Sequence, residues 1–150
     1  MAYDELLRQG LLQPYQAKAR EVERLLRVAA RDLATAERLT PEDRDWIYNI
    51  AYNAALQAAR AWMLHQGYRA RGSDQHRTAV RFSELTLGPE CQQQLALLDQ
   101  IRRKRNRLIY EVAGLVSRQE AEQALEFARA FVEEMRRLIS GQPPLEAGER

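Results

Sequence analysis

Apolar positions set the rhythm of this chain. Tyr15, Ala19, Val22, Leu25, Leu26, Ala29, Leu33 and Ala36 recur at the spacing that lines one face of an α-helix. A second run holds Trp46, Ile47, Ile50, Ala51, Ala54, Ala55, Ala58, Ala59, Ala61 and Trp62. It is apolar on most sides, so its helix, expected over 41–66, belongs at the centre of a bundle. Ala121, Ala124, Leu125, Phe127, Ala128, Phe131, Val132, Met135 and Leu138 mark another amphipathic helix. Between residues 89 and 113, Leu98, Ile101, Leu108 and Val112 form a further apolar row, with Arg105 standing inside it. A shorter helix is expected from Gly72-Ser73-Asp74 to about Leu85, and residues 3–9 suit a short turn of helix.

Punctuation supports these boundaries. Thr40-Pro41-Glu42-Asp43 reads as a helix start, with a capping hydroxyl, proline at the first helical position and acids that complement the dipole. Gly67 and Gly114 read as stops, and Gly88-Pro89-Glu90 as a start. Ser117-Arg118-Gln119-Glu120 matches a capping box. Gly141-Gln142-Pro143-Pro144 ends the last helix. The pattern predicts an all-α fold, an up-and-down bundle of four long helices plus a shorter one. One domain is expected over 1–140, with 141–150 as a flexible tail.

Composition narrows this picture. One domain is what 150 residues supply, and 45% hydrophobic with 29% charged residues is ordinary globular usage. Only 7 Gly and 5 Pro argue against the many turns of an all-β sandwich. A single cysteine, Cys91, forms no internal disulfide, and no Cys/His cluster points to a metal; no cofactor is expected. The apolar runs fall far short of the roughly 20 residues that span a bilayer. The opening MAYDELLRQG lacks the order of a secretory signal, so a cytoplasmic protein is expected.

The net charge of +2 conceals an asymmetry. Residues 60–112 carry 10 basic and 5 acidic side chains, whereas 1–59 carry 8 and 9, and 113–150 carry 5 and 7. The surplus has two foci: Arg69, Arg71, Arg77 and Arg81, then Arg102, Arg103, Lys104, Arg105 and Arg107. Such a patch suits a polyanion, because each phosphate it neutralises releases condensed counterions. A solvated helix face is the competing reading.

Arg105 is the informative residue. It occupies a core-like row beside a second face of Asp99, Arg103, Asn106 and Tyr110. An unpaired buried charge costs several kcal/mol or more, so such an arginine needs an explanation. Three stay open: pairing with a carboxylate inside the bundle, a place at a subunit interface or hydrated cleft, or snorkelling to the surface.

The run Arg105-Asn106-Arg107-Leu108-Ile109-Tyr110 resembles the signature of HEPN domains. That signature is an arginine, often followed by Asn or another polar residue, and a histidine after four to six intervening residues. Here four intervene, and Tyr110 stands where the histidine would be. Ala51 to Ala61 is similar to the Tyr/Ala-rich second helix of these proteins. Gly67 to His76 resembles the loop that often holds a histidine before their third helix. The likeness covers about residues 15–140.

The resemblance implies a helical bundle that forms homodimers and brings two Arg–polar–His motifs into one cleft. Active members cut RNA without a metal; others bind nucleic acid, nucleotides or a partner protein. Small members often accompany a minimal nucleotidyltransferase in toxin–antitoxin systems. Carried over, Arg105 is the phosphate-contacting charge, Asn106 the polar second residue and Tyr110 the substitute for the motif histidine. Arg102, Arg103 and Arg107, with Arg69, Arg71 and His76, are the expected nucleic-acid contacts.

A phenol with an ordinary pKa of about 10 is a poor base at neutral pH, whereas an imidazole near 6.5 is well matched. Weak or no ribonuclease activity is therefore expected. Of the other candidates for a base, His76 has arginines on every side in sequence, His65 lies near the end of the second long helix, and Cys91 lacks an activating neighbour. The expected function is a HEPN-like homodimer binding RNA or a nucleotide and a partner protein, such as a minimal nucleotidyltransferase. The alternatives are an active metal-independent endoribonuclease toxin and a helical adaptor without a nucleic-acid role.

Overall fold

In a computed structural model, residues 1–110 and 116–141 are described, with the backbone alone for 108–110. Six helices and one small sheet follow in the order α1 (Asp4–Arg8), β1 (Leu12–Pro14), α2 (Ala19–Glu37), α3 (Arg44–His65), β2 (Tyr68–Ala70), α4 (Gln75–Thr86), α5 (Gln92–Tyr110) and α6 (Arg118–Ser140). Single 3-10 turns, Pro41–Asp43 and Pro89–Cys91, lead into α3 and α5. The predicted all-α bundle is therefore the fold.

The centre is α3, which packs against α2, α4, α5 and α6. Its alanines explain the position: Ala54, Ala55, Ala58, Ala59 and Ala61 are each 0% exposed. Small side chains around most of the cylinder let several helices approach closely, Tyr48, Tyr52 and Leu56 fill the gaps between them, and Asn53 and Arg60 mark the exposed side. Trp46 departs from the expected pattern. It lies in the first turn, ahead of the encircled segment, and is 67% exposed.

The helix ends follow their local chemistry. Ser117 Oγ accepts from the Glu120 amide at 3.0 Å, and the Ser117 amide donates to the Glu120 carboxylate at 3.1 Å, which completes the capping box. At the start of α3 the Thr40 hydroxyl donates to Asp43 at 3.0 Å. Gly67 ends α3 at φ +96°, a conformation that glycine enters without steric cost. The expected helix end at Gly114 and all but the first residue of the expected tail over 141–150 lie outside the described residues.

The sheet was not anticipated. β1 and β2 are antiparallel, with Leu12 opposite Ala70, Gln13 opposite Arg69 and Pro14 opposite Tyr68. In two strands every proline is on an edge, so Pro14 breaks nothing. Leu6 and Leu12 are buried, and the Tyr3 ring meets Tyr68 at 4.8 Å and Phe82 at 5.2 Å. The first residues thus form an arm clasped to the α3–α4 side of the bundle. It fixes the turn through Gly72 (φ +79°) and Asp74 (φ +51°) from which α4 starts.

Candidate functional site

The expected site residues divide by what surrounds them. Arg102 is an enclosed cation of α5. Its side chain is 11% exposed, and its Nε and Nη2 both lie 3.1 Å from one oxygen of Asp99. Arg103 reaches the other oxygen at 3.2 Å and is 65% exposed. One carboxylate therefore serves two guanidiniums on one helix face. Lys104 is tied to Glu120 of α6, which holds that carboxyl below its usual range. Asn106 and Arg107 are exposed. The Tyr110 side chain lies outside the described residues.

Arg105 is different. It is half-buried, follows Leu98 and Ile101 in the core row, and forms no ion pair among the described residues. Its Nε is buried without a hydrogen-bond partner. The guanidinium carbon lies 5.4 Å from the centroid of the Tyr52 ring, a cation–π contact that supports the charge without neutralising it. Among the described residues no carboxylate claims this arginine. An unsatisfied donor on a half-buried charge is uncommon in folded proteins.

The Tyr52 hydroxyl continues the chain of contacts. It lies 3.2 Å from Nδ1 of His76, in the first turn of α4, and the rings are 6.1 Å apart. Burial pushes the phenol up to about 12, against the opposing pull of Arg105, so it stays protonated. Burial lowers the His76 pKa, and the nearby Arg105 and Arg60 lower it further. His76 is accordingly a neutral imidazole at pH 7, pinned through one nitrogen. Three helices, α3, α4 and α5, thus bring Tyr52, His76 and Arg105 into one group.

Sequence reasoning picks out His76 and Arg105 but not Tyr52. It is core, 1% exposed, with its ring under Arg105 and its hydroxyl toward His76. No pattern could reveal a tyrosine and a histidine 24 positions apart as partners. His65 stands elsewhere, at the end of α3 beside Trp62. Cys91 is buried, and burial pushes its thiol up to about 11, so it is no nucleophile.

His76 also lines an open cleft of about 940 Å³ between the N-terminal arm, the end of α3 and the β2–α4 turn. Arg60, Arg69 and Arg71 line it as well, the latter two from the first basic focus. Among the described residues no group of His, Cys, Asp and Glu is arranged to hold a metal ion, and no helix is long and apolar enough to cross a membrane.

A family model described as HEPN domain matches residues 22–138. Comparisons with curated proteins and with solved structures found no match.

Proposed function

The chain belongs to the HEPN domain family, and from that premise we propose that it binds RNA through its phosphates, with Arg105 as the phosphate-holding charge. The family's functional class is ribonuclease-like or nucleotide-binding. One observation carries the finer reading: Arg105 is half-buried on a core row, and among the described residues its Nε has no partner while the face of Tyr52 supports the charge. A phosphate supplies the missing acceptor and neutralises the charge in one step, and the guanidinium fork suits it. Arg103 and Arg107, exposed on the same helix, extend the cationic track, and Asn106 offers an amide beside it.

We place this site in a homodimer, where α5 of each protomer faces a shared cleft. The support is the family's habit of pairing its motifs and the need to keep Arg105 hydrated until its ligand arrives. The expectation of a minimal nucleotidyltransferase as protein partner rests on the family resemblance alone, and co-purification with such a protein is its test.

Binding is checked by fluorescence anisotropy with a single-stranded RNA. Arg105→Ala is expected to weaken affinity about tenfold or more, the scale of one charge-assisted hydrogen bond, and Arg105→Lys to recover part of it. Unchanged affinity in Arg105→Ala favours the adaptor role instead.

A second reading is favoured by one specific observation, the neutral His76 imidazole held by Tyr52 beside Arg105. In it the imidazole takes the proton of an RNA 2′-hydroxyl, whose oxygen attacks the adjacent phosphorus. The P–O5′ bond breaks, and the imidazolium returns the proton to the leaving oxygen. The products are a 2′,3′-cyclic phosphate and a 5′-hydroxyl end. On this reading RNA is cut in EDTA, and His76→Gln stops it while binding remains. On the binding reading the unmodified chain cuts weakly or not at all, and Tyr110→His raises turnover by restoring the motif.

A further inference from the structure

Tyr52 is the buried member of the group it forms with His76 and Arg105, and it touches both. Its ring face carries the Arg105 guanidinium at 5.4 Å, and its hydroxyl lies 3.2 Å from His76 Nδ1. The residue is 1% exposed, and Ala51, Ala54 and Ala55 beside it on α3 are 1%, 0% and 0% exposed. A side chain so enclosed keeps one rotamer, so whatever it holds is held in a fixed direction.

The sense of the hydroxyl's bond decides what His76 can do. A neutral imidazole carries one N–H and one bare nitrogen, and a phenol both donates and accepts. Two arrangements therefore satisfy the distance. In one, Tyr52 donates to a bare Nδ1, and the ring proton lies on Nε2. In the other, Nδ1–H donates to the phenol oxygen, and Nε2 is bare. The ring is neutral in both, since burial disfavours its charge, and Arg105, Arg60 and Arg102 disfavour it further against the opposing pull of Asp74.

The surroundings of the phenol distinguish the two. Among the described residues, His76 Nδ1 is the only hydrogen-bond partner of the Tyr52 hydroxyl. With Nδ1–H as the donor, the phenolic hydrogen would lie inside the bundle without an acceptor. A buried donor left unsatisfied shifts such an equilibrium by about tenfold or more. With Tyr52 as the donor, the phenolic hydrogen is used. The remaining imidazole nitrogen is then an N–H on a residue that is itself exposed.

We propose that Tyr52 is a positioning residue that sets His76 as a hydrogen-bond donor: its hydroxyl donates to Nδ1, the ring proton is kept on Nε2, and His76 meets a ligand with an N–H. The role given to that N–H rests on the reading of this group as an anion-binding site. Arg105 and His76 then both offer donors to an anionic oxygen, held by the two ends of one tyrosine. Proton abstraction from a 2′-hydroxyl needs the other tautomer, with Nε2 bare, which Tyr52 disfavours.

Long-range proton–nitrogen correlation spectra of the full nitrogen-15-labelled chain test this without RNA, at about pH 8, where the ring is neutral. The chain has two histidines, and His76→Gln leaves the signals of His65 alone. His76 is expected to show a protonated Nε2 and a bare Nδ1 displaced in the direction of a hydrogen-bond acceptor. Tyr52→Phe keeps the ring and removes the donor. It is expected to cancel that displacement and to raise the share of the Nδ1–H tautomer about tenfold. The parent spectrum needs no variant, so it decides the tautomer even where Tyr52→Phe fails to fold. On saturation with single-stranded RNA, the Nε2–H signal is expected to shift while Nε2 stays protonated. A protonated Nδ1 in the parent chain, an unchanged Nδ1 signal in folded Tyr52→Phe, or loss of the Nε2 proton on RNA binding overturns the proposal. RNA that does not bind contradicts the binding reading instead, and the RNA-free spectra still decide the tautomer.

Discussion

The charge of Arg105 opposes protonation of His76, which burial already disfavours. The arginine depresses the imidazole's basicity, so removing it has a readable consequence. Arg105→Ala is expected to raise the His76 pKa towards the ordinary value, followed by NMR titration of the ring protons; an unchanged or lower pKa contradicts the contact. A linked effect concerns stability. The folded-state pKa of His76 lies below its unfolded value, so as pH falls the unfolded chain takes up the proton first. The contribution to stability is full above the unfolded value, about 6.5, and declines as pH drops through the window beneath it. His76→Gln is therefore expected to lose less melting temperature than the parent chain on acidification through that window, and an identical loss contradicts it. Both residues were legible in the sequence, Arg105 as a charge in an apolar row and His76 as a histidine among arginines. Their meeting was not, because Tyr52 reads only as one more apolar position of a buried helix.

Among the elements, α3 was the most legible, since an apolar surface on nearly every side leaves a helix only the centre of a bundle. Its packing depends on small residues. Ala58→Leu is expected to destabilise the protein by about 1–3 kcal/mol through overpacking, measured by urea denaturation, whereas an exposed site such as Ala30→Leu is expected to be near neutral. The start of α6 was legible for a different reason, since a capping box is local chemistry that needs no tertiary context. Ser117→Ala is expected to cost about 1 kcal/mol by the same measurement. The β1–β2 ladder was illegible. Strands of three residues carry no periodicity, and Leu12-Gln13-Pro14 pairs with Tyr68-Arg69-Ala70 only because the bundle brings the two stretches together. That omission hid the cleft, since the arm forms one of its walls.

At the scale of the whole molecule, the modest net charge of +2 was the least informative number, and its distribution the most. The two basic foci lie far apart in sequence, and the fold sets Arg69 and Arg71 on one cleft with His76, while Tyr52 touches both His76 and Arg105. A homodimer pairing two such sites is expected in light scattering at twice the 17.4 kDa chain mass, and a monomer at micromolar concentration contradicts it. The most direct test of Arg105 as the phosphate-holding charge is a salt titration of single-stranded RNA binding, parent chain beside Arg105→Ala. The logarithm of affinity is expected to fall linearly with the logarithm of salt concentration, with a slope of about 0.7 for each phosphate contacted. Loss of Arg105 is expected to lower the affinity and flatten that slope by about 0.7, one phosphate's share. A parent slope near zero, or an identical slope and affinity in Arg105→Ala, contradicts the account.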